Sequence, residues 1–154
     1  MFIINDDFGG KMTPAKIQLW EGVSLSAIKT DKFKTGMISL SLTSPLCGNI
    51  TASNMLLSGI LRRGSEAFPS MALLNRRLDE LYASSIEIKN LRHGKTESLI
   101  LSAEMLDNAF ISDGTDILDG VLEVLSQLLL HPLCDGESFP DETLKRNRLT
   151  LPTQ

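Results

Sequence analysis

The sequence is poor in the side chains that bind metals or form disulfides. Its 154 residues include two histidines, His93 and His131, and two cysteines, Cys47 and Cys134. Two cysteines are too few for a disulfide framework, and both follow a Pro-Leu pair in segments typical of turns, so we expect free thiols. The sequence also has no G-x-S-x-G motif and no glycine-rich phosphate loop, so neither a serine hydrolase nor a P-loop protein is indicated.

Long hydrophobic runs and an excess of positive charge are absent as well. No apolar run approaches the roughly 20 residues that cross a bilayer. The N-terminal stretch has Asp6 and Asp7 where a signal peptide would be basic, so we expect a cytoplasmic location. The net charge of −4 and the pI near 5.1 argue against nucleic acid or an anionic membrane as a partner, since both favour basic surfaces.

The length of the sequence and its ordinary composition, with 42% hydrophobic and 22% charged residues, indicate one globular domain. The order β-β-β-α-α-β-β-α-α predicts an α+β fold, in which a mainly antiparallel sheet built from residues 16–44 and 84–106 is covered by helices. Strands are predicted at 16–21, 23–30, 36–46, 84–92 and 95–105, and helices at 53–63, from Ser70, from Thr115 or Asp116 to Pro132, and from Pro140.

Two local patterns make this prediction more specific. The third strand alternates so that Ile38, Leu40 and Leu42 share one face, which predicts one buried and one wet side. Thr51 or Ser53 is the expected N-cap of the first helix, because hydroxyl side chains bond the free N–H groups at a helix start.

The segment HPLCDGE offers the weak alternative for a metal site, with His131 and Cys134 three residues apart. Zinc needs three or four converging ligands. Pro132 and Gly136 make this segment a loop, and a histidine at a helix C-terminus interacts well with the helix dipole without a metal. Carboxylates are scattered along the chain, and no pair stands out as a general acid and base.

Four stretches together resemble one known family: TDKFKTGMISLSL, LLSGILRRGSEAFPSMALLNRRLDELYASS, KTESLILSAEMLDNAF, and the long helix to LLLHPL followed by FPDETLKRNR. From about Lys16 to about Leu151, the sequence resembles the N-terminal domain of the pitrilysin/insulinase zinc peptidases, or inverzincins. The fold that this implies is of the metallopeptidase LuxS/pitrilysin-like type. The resemblance is closest to the bacterial, inactive peptidase-like subgroup that lacks the metal motif.

Active members of that family carry H-x-x-E-H on the first helix, where two histidines bind zinc and the glutamate acts as general base. The helix exit Arg63–Ser65 sets the register, and it puts Met55 and Gly59 at the histidine positions and Ser58 at the glutamate position. Between Cys47 and this exit there is no His, Asp, Glu or further Cys. Zinc binding by this helix therefore fails in any register.

The family's third zinc ligand is a glutamate in a later helix. Here no glutamate follows Glu142, Pro152 interrupts the helical pattern, and Gln154 lies near the expected position. The resemblance therefore implies a domain without catalytic residues, metal ligands or a cofactor of its own, zinc being expected only in active relatives.

The resemblance also implies a role in binding. We expect residues 1–15 to be an N-terminal extension and residues 16–154 to be a peptidase-like domain that is incomplete at its C-terminus. Its expected partner is a peptide or protein, namely the remainder of its own polypeptide or a motif-bearing, active relative, and an open sheet edge allows a homo-oligomer. Two alternatives stay open: a zinc endopeptidase with displaced ligands, including His131 and Cys134, and a stand-alone protein interaction module.

Overall fold

The computed structural model describes residues 15–30 and 32–133, and over these residues the predicted α+β class is confirmed. The helix predicted from Pro140 lies outside the described residues. A short 3-10 helix at Asn108–Phe110 follows the last strand. The main elements, in chain order, are β1 (Ala15–Trp20), β2 (Val23–Ala27), β3 (Thr35–Pro45), α1 (Gly48–Leu61), α2 (Met71–Glu80), β4 (Ser85–His93), β5 (Thr96–Leu106) and α3 (Ile117–Leu130).

The strands of the described residues form two antiparallel sheets, so the single sheet predicted from residues 16–44 and 84–106 is wrong. Strands β1 and β2 make a hairpin of their own, and the other sheet has the order β3-β5-β4. The hairpin exposes large apolar side chains, with Ile17 at 52% and Trp20 at 66% exposure. Strand β5 is the centre of the larger sheet, and it pairs with both neighbours along nearly its whole length.

The core lies between the three-stranded sheet and the helices. Alternate residues of β5 point inward, among them Leu99 and Leu101. Helix α2 buries Leu74 and Leu78 against this layer, as the four-residue spacing of its leucines indicates. Helix α3 contributes the most buried apolar positions, which are Ile117, Val121, Val124, Leu125 and Leu128. None of the described helices is long and apolar enough to cross a membrane.

Strand β3 departs from its predicted burial. Ile38 is buried at 8% exposure, but Leu40 and Leu42, which share its face, are 39% and 44% exposed. Strand β3 is an outer strand, and the described helices pack mainly on β4 and β5, although Asn54 of α1 donates to the Ser44 hydroxyl near the end of β3 at 3.4 Å. The alternation therefore predicts the strand correctly. The predicted burial of its second half is wrong, because burial depends on whether helices pack on that part of the sheet.

The helix ends show which caps were predictable. Ser70 accepts a hydrogen bond from Leu73 N, and Asp116 accepts one from Asp119 N, so the caps predicted for α2 and α3 are confirmed. Helix α1 begins at Gly48, one turn before the predicted start, and Cys47 caps it without a side-chain bond. The hydroxyl residues predicted as its cap lie inside the first turns instead.

Candidate functional site

Helix α1 carries the three degenerate motif positions, and one of them, Ser58, lies at its contact with the sheet. Ser58 is buried at 8% exposure, and Met55 and Gly59 are half-buried. The Ser58 hydroxyl donates to the Met55 carbonyl oxygen at 2.9 Å and accepts from the Asn90 side-chain amide of β4 at 3.1 Å. A thioether, an engaged hydroxyl and a glycine do not fit zinc, whose protein ligands are thiolate, imidazole and carboxylate.

Ser58 belongs to a group of side chains that we call the polar cluster: Asn54, Ser58, Asn90 and Glu97. The Asn90 amide also donates to the Asn54 carbonyl oxygen at 3.1 Å, and the Asn54 amide donates to Glu97 Oε2 at 3.5 Å. Glu97 is 1% exposed. It lies on the inward face of β5, where the later buried residues of the strand are apolar. Glu97 is therefore a buried carboxylate beside an apolar core.

Three members of the polar cluster, Asn54, Asn90 and Glu97, were not predicted from the sequence. Glu97 is two residues before Leu99 and four before Leu101, so strand alternation places it on the same inward face. This alternation is the sequence signal that could have identified Glu97. Asn54 and Asn90 carry no such signal, because polar residues on a helix or an outer strand are usually solvated. Within residues 15–30 and 32–133, the Asn90 Oδ1 atom is buried without a hydrogen-bond partner, as is Thr51 Oγ1. The members of the polar cluster therefore leave one of its buried hydrogen-bond acceptors, Asn90 Oδ1, without a donor among the described residues.

The weak alternative metal pair is only half described. His131 is exposed and follows the last residue of α3, and Cys134 lies outside the described residues. The His131 N–H donates to the Gln127 carbonyl oxygen at 3.0 Å, and the His131 carbonyl oxygen accepts from Glu66 N at 2.9 Å. Among the residues that the structure describes, no three His, Cys, Asp or Glu side chains converge on a point that a metal ion would fill.

The loop after α1 is a tight turn that joins α1 to the end of α3. Gly64 has a φ of +134°, and a Cβ added there would lie 2.1 Å from the Phe68 carbonyl oxygen. Ser65 is fully buried, its N–H donates to the Phe68 carbonyl oxygen at 3.0 Å, and its hydroxyl accepts from Phe68 N at 3.2 Å. Ser65 also forms an isolated antiparallel bridge with Pro132. The Gly-Ser exit thus has a structural role in holding the two helices together.

Arg62, at the C-terminal end of α1, lies over the outer edge of β4. Its Nε and Nη2 atoms both donate to the Ile88 carbonyl oxygen, with Nε at 2.9 Å. Natural sheets often use a charged side chain to cover an outer strand, because unpaired backbone groups invite another chain to pair. Arg62 covers β4 in this way near its middle.

Pockets lie beside both outer strands. One of about 590 Å³ is where β3 begins and β5 ends, and its lining includes Phe33, Met105 and Leu118. Another, of about 380 Å³, lies between α2 and the β4 edge, and we call it the edge pocket. The lining of the edge pocket is mainly apolar, with Arg62, Asn75 and Glu87 as polar members, and its apolar residues include Leu61, Leu74, Leu78, Ile86, Ile88 and Leu128.

Carboxylates before and at the start of α3 have lowered pKa values for structural reasons. The Tyr82 hydroxyl donates to Asp113 Oδ2 at 2.6 Å, which lowers the pKa of Asp113 and raises that of Tyr82. The Asp116 carboxylate accepts from the backbone N–H of Asp119 and from the Asn108 amide, and these bonds lower its pKa. Both carboxylates lie outside the polar cluster, and Asp116 acts as the cap of α3.

The described residues thus define an α+β domain with an antiparallel sheet, whose first helix carries no zinc-binding side chain. No family model matches the sequence. The sequence is 28% identical over 130 residues to the "Probable inactive metalloprotease YmfF" of Bacillus subtilis (strain 168), a match that covers 84% of this chain and 30% of that protein.

A solved structure is similar over a comparable share of the chain. The crystal structure of a conserved protein from Enterococcus faecalis V583 matches with a TM-score of 0.82 and 25% sequence identity, covering 88% of this chain and 32% of that one. The chain thus spans about a third of the length of the relatives that it matches.

Proposed function

We propose that the chain is part of a non-catalytic, peptidase-like protein of the pitrilysin/insulinase type, and that it binds an extended peptide or protein segment. The packing of α1 carries this proposal: at the positions that the resemblance assigns to zinc chemistry, the Ser58 hydroxyl engages Met55 and Asn90 of its own chain. The name of the Bacillus relative, a probable inactive metalloprotease, supports the same role.

Binding to a sheet edge is the mode that this fold favours. Strands β3 and β4 are the outer strands of the three-stranded sheet, and an extended peptide that adds to such an edge gains main-chain hydrogen bonds. The proposed partner is the remainder of the polypeptide or an active relative, in the cytoplasm, and edge pairing between two copies would give a homo-oligomer. The net charge of −4 does not favour nucleic acid.

Metal analysis tests the non-catalytic part of the proposal. We expect far less than one zinc per chain in elemental analysis of the purified, tag-free protein. One tightly held zinc per chain, lost in His131→Ala and retained in the control His93→Ala, would contradict the proposal. That result would favour a zinc endopeptidase with displaced ligands.

Peptide binding tests the other part. The probe is a fluorescein-labelled, C-terminally amidated hexapeptide of alternating Thr and Leu that ends in Leu, and fluorescence anisotropy measures its binding. We expect saturable binding that a matched peptide with Pro at the Thr positions does not reproduce, because Pro cannot donate to a strand ladder. Equal binding of the two peptides would refute edge addition, and binding of neither would refute the peptide-binding function.

A further inference from the structure

Arg62 is a cation without an anionic partner among residues 15–30 and 32–133. Its hydrogen bonds go to the carbonyl oxygen of Ile88, which is a neutral acceptor. The arginines of α2 differ, since Arg76 pairs with Glu80 at 3.4 Å and Arg77 pairs with Glu123 at 3.2 Å. A guanidinium has five N–H donors in a planar fork that matches a carboxylate. Glu87, which also belongs to the lining of the edge pocket, pairs with Lys89 at 2.8 Å. Among the described residues, Arg62 therefore brings to the β4 edge a charge that forms no ion pair.

The geometry of this contact indicates which kind of anion would reach Arg62. Ile88 lies opposite Leu101 in the antiparallel ladder, at a position where the β4 backbone points away from β5 and its carbonyl is available to Arg62. The guanidinium thus lies at the outer edge, close to the plane of the sheet. The side chains of an added strand project above and below that plane, while its main chain runs within it. The main-chain group that carries a negative charge is the C-terminal carboxylate.

The edge pocket lies next to this position, and it is suited to an apolar side chain. It has a volume of about 380 Å³, and Leu61, Ile88 and Leu128 in its lining are at most 3% exposed. Met71, which is 53% exposed, is also part of the lining. A peptide that pairs with the first half of β4 and ends at Arg62 would place a side chain near its C-terminus in this pocket.

We propose that the β4 edge captures the free C-terminus of an extended peptide that ends in a large apolar residue, with Arg62 as the residue that recognises the carboxylate. This inference rests on the proposed peptide-binding function. On binding, a backbone N–H of the peptide replaces Arg62 as donor to the Ile88 carbonyl oxygen. The released guanidinium then forms a two-pronged, charge-assisted pair with the terminal carboxylate.

The test compares two labelled hexapeptides of alternating Thr and Leu, both ending in Leu, one with a free C-terminal carboxylate and one with an amide. We expect the free acid to bind the wild-type chain about tenfold more tightly, since a charge-assisted pair replaces a neutral contact. Arg62→Gln should abolish this preference, and Arg62→Lys should restore part of it because it keeps the charge without the fork. Arg76→Gln, which removes an exposed arginine of α2, is the matched control and should retain the preference.

Two further measurements separate the possible outcomes. A third peptide is amidated and has Asp before its final Leu, and it should bind no more tightly than the simple amide. If its affinity equals that of the free acid, a side-chain carboxylate is the ligand and the assignment to the C-terminal carboxylate is wrong. In the wild-type chain, saturating free acid and saturating amide should give different shifts of the Arg62 Nε–H resonance, because both peptides displace it from the Ile88 carbonyl oxygen and only the free acid pairs with it. Equal binding of acid and amide would overturn this inference and leave peptide binding intact, whereas binding of neither would overturn both.

Discussion

Replacing Gly64 by alanine is expected to destabilise the domain by about 3 kcal/mol or more. Gly64 has a φ of +134°, a conformation that costs a residue with a side chain about 1–3 kcal/mol. The added Cβ would also lie 2.1 Å from the Phe68 carbonyl oxygen, so the turn must open. Opening breaks the two hydrogen bonds between Ser65 and Phe68, and because Ser65 is fully buried, each group left without a partner costs about 1–3 kcal/mol.

Gly94→Ala is the matched control for Gly64→Ala. Gly94 also has a positive φ, of +59°, but no atom lies within 4 Å of an added Cβ, so only the conformational cost of about 1 kcal/mol applies. Urea unfolding followed by circular dichroism measures both variants. Equal losses of unfolding free energy in the two variants would refute the role assigned to the contact with Phe68.

Three further predictions follow from other parts of the molecule. The folded-state pKa of Asp116 lies below its ordinary value of 3.8, so its cap contributes stability above that value and loses it as the pH falls through the lower folded-state pKa. Between about pH 5 and about pH 3, the urea midpoint of the wild type should therefore fall more than that of Asp116→Asn, which caps without a charge; equal falls would contradict this. Ser58→Ala should cost about 1 kcal/mol, and Ser58→Ala with Asn90→Leu should cost less than the two single changes added together, because it removes both partners of one bond; strict additivity in a denaturation cycle would show that the two side chains are not coupled. Met55→His, Ser58→Glu and Gly59→His together should not produce peptide cleavage that a chelator abolishes, because the third ligand and its supporting groups are missing; such cleavage in a fluorogenic peptide assay would show that the rest of a zinc site is present.

Local patterns predicted the type of each described strand and α-helix, because alternation and helical spacing report directly on one face, whereas the short 3-10 helix at Asn108–Phe110 was not predicted. They failed at the start of α1, since Gly48 and Asn49 are typical of a turn and Cys47 offers no capping oxygen. They failed at Leu40 and Leu42 because burial depends on which strands the helices cover, and no local pattern records that.

Only one property of the candidate site could be predicted from the sequence, namely that α1 has no zinc-binding side chains. The lack of His, Asp and Glu along α1 is visible in the sequence, whereas the contacts that replace a metal site are not. Asn90 reaches Ser58 across the gap between a strand and a helix, and Arg62 reaches Ile88 at a sheet edge. Such partners are brought together by the fold, so neither pair has a signature in sequence spacing.

The strand order β3-β5-β4 also sets the order in which the sheet assembles. A tight turn at Gly94 joins β4 to β5, whereas pairing of Thr35 with Leu106 must close a loop that contains α1, α2 and β4. Distant pairings form slowly, because the entropy of the loop is lost before the contacts reward it. During synthesis, β3 leaves the ribosome well before β5, the strand with which it pairs among the described residues. A nascent chain therefore exposes an unpaired strand carrying Leu40 and Leu42, which is the stage most open to aggregation or to a chaperone.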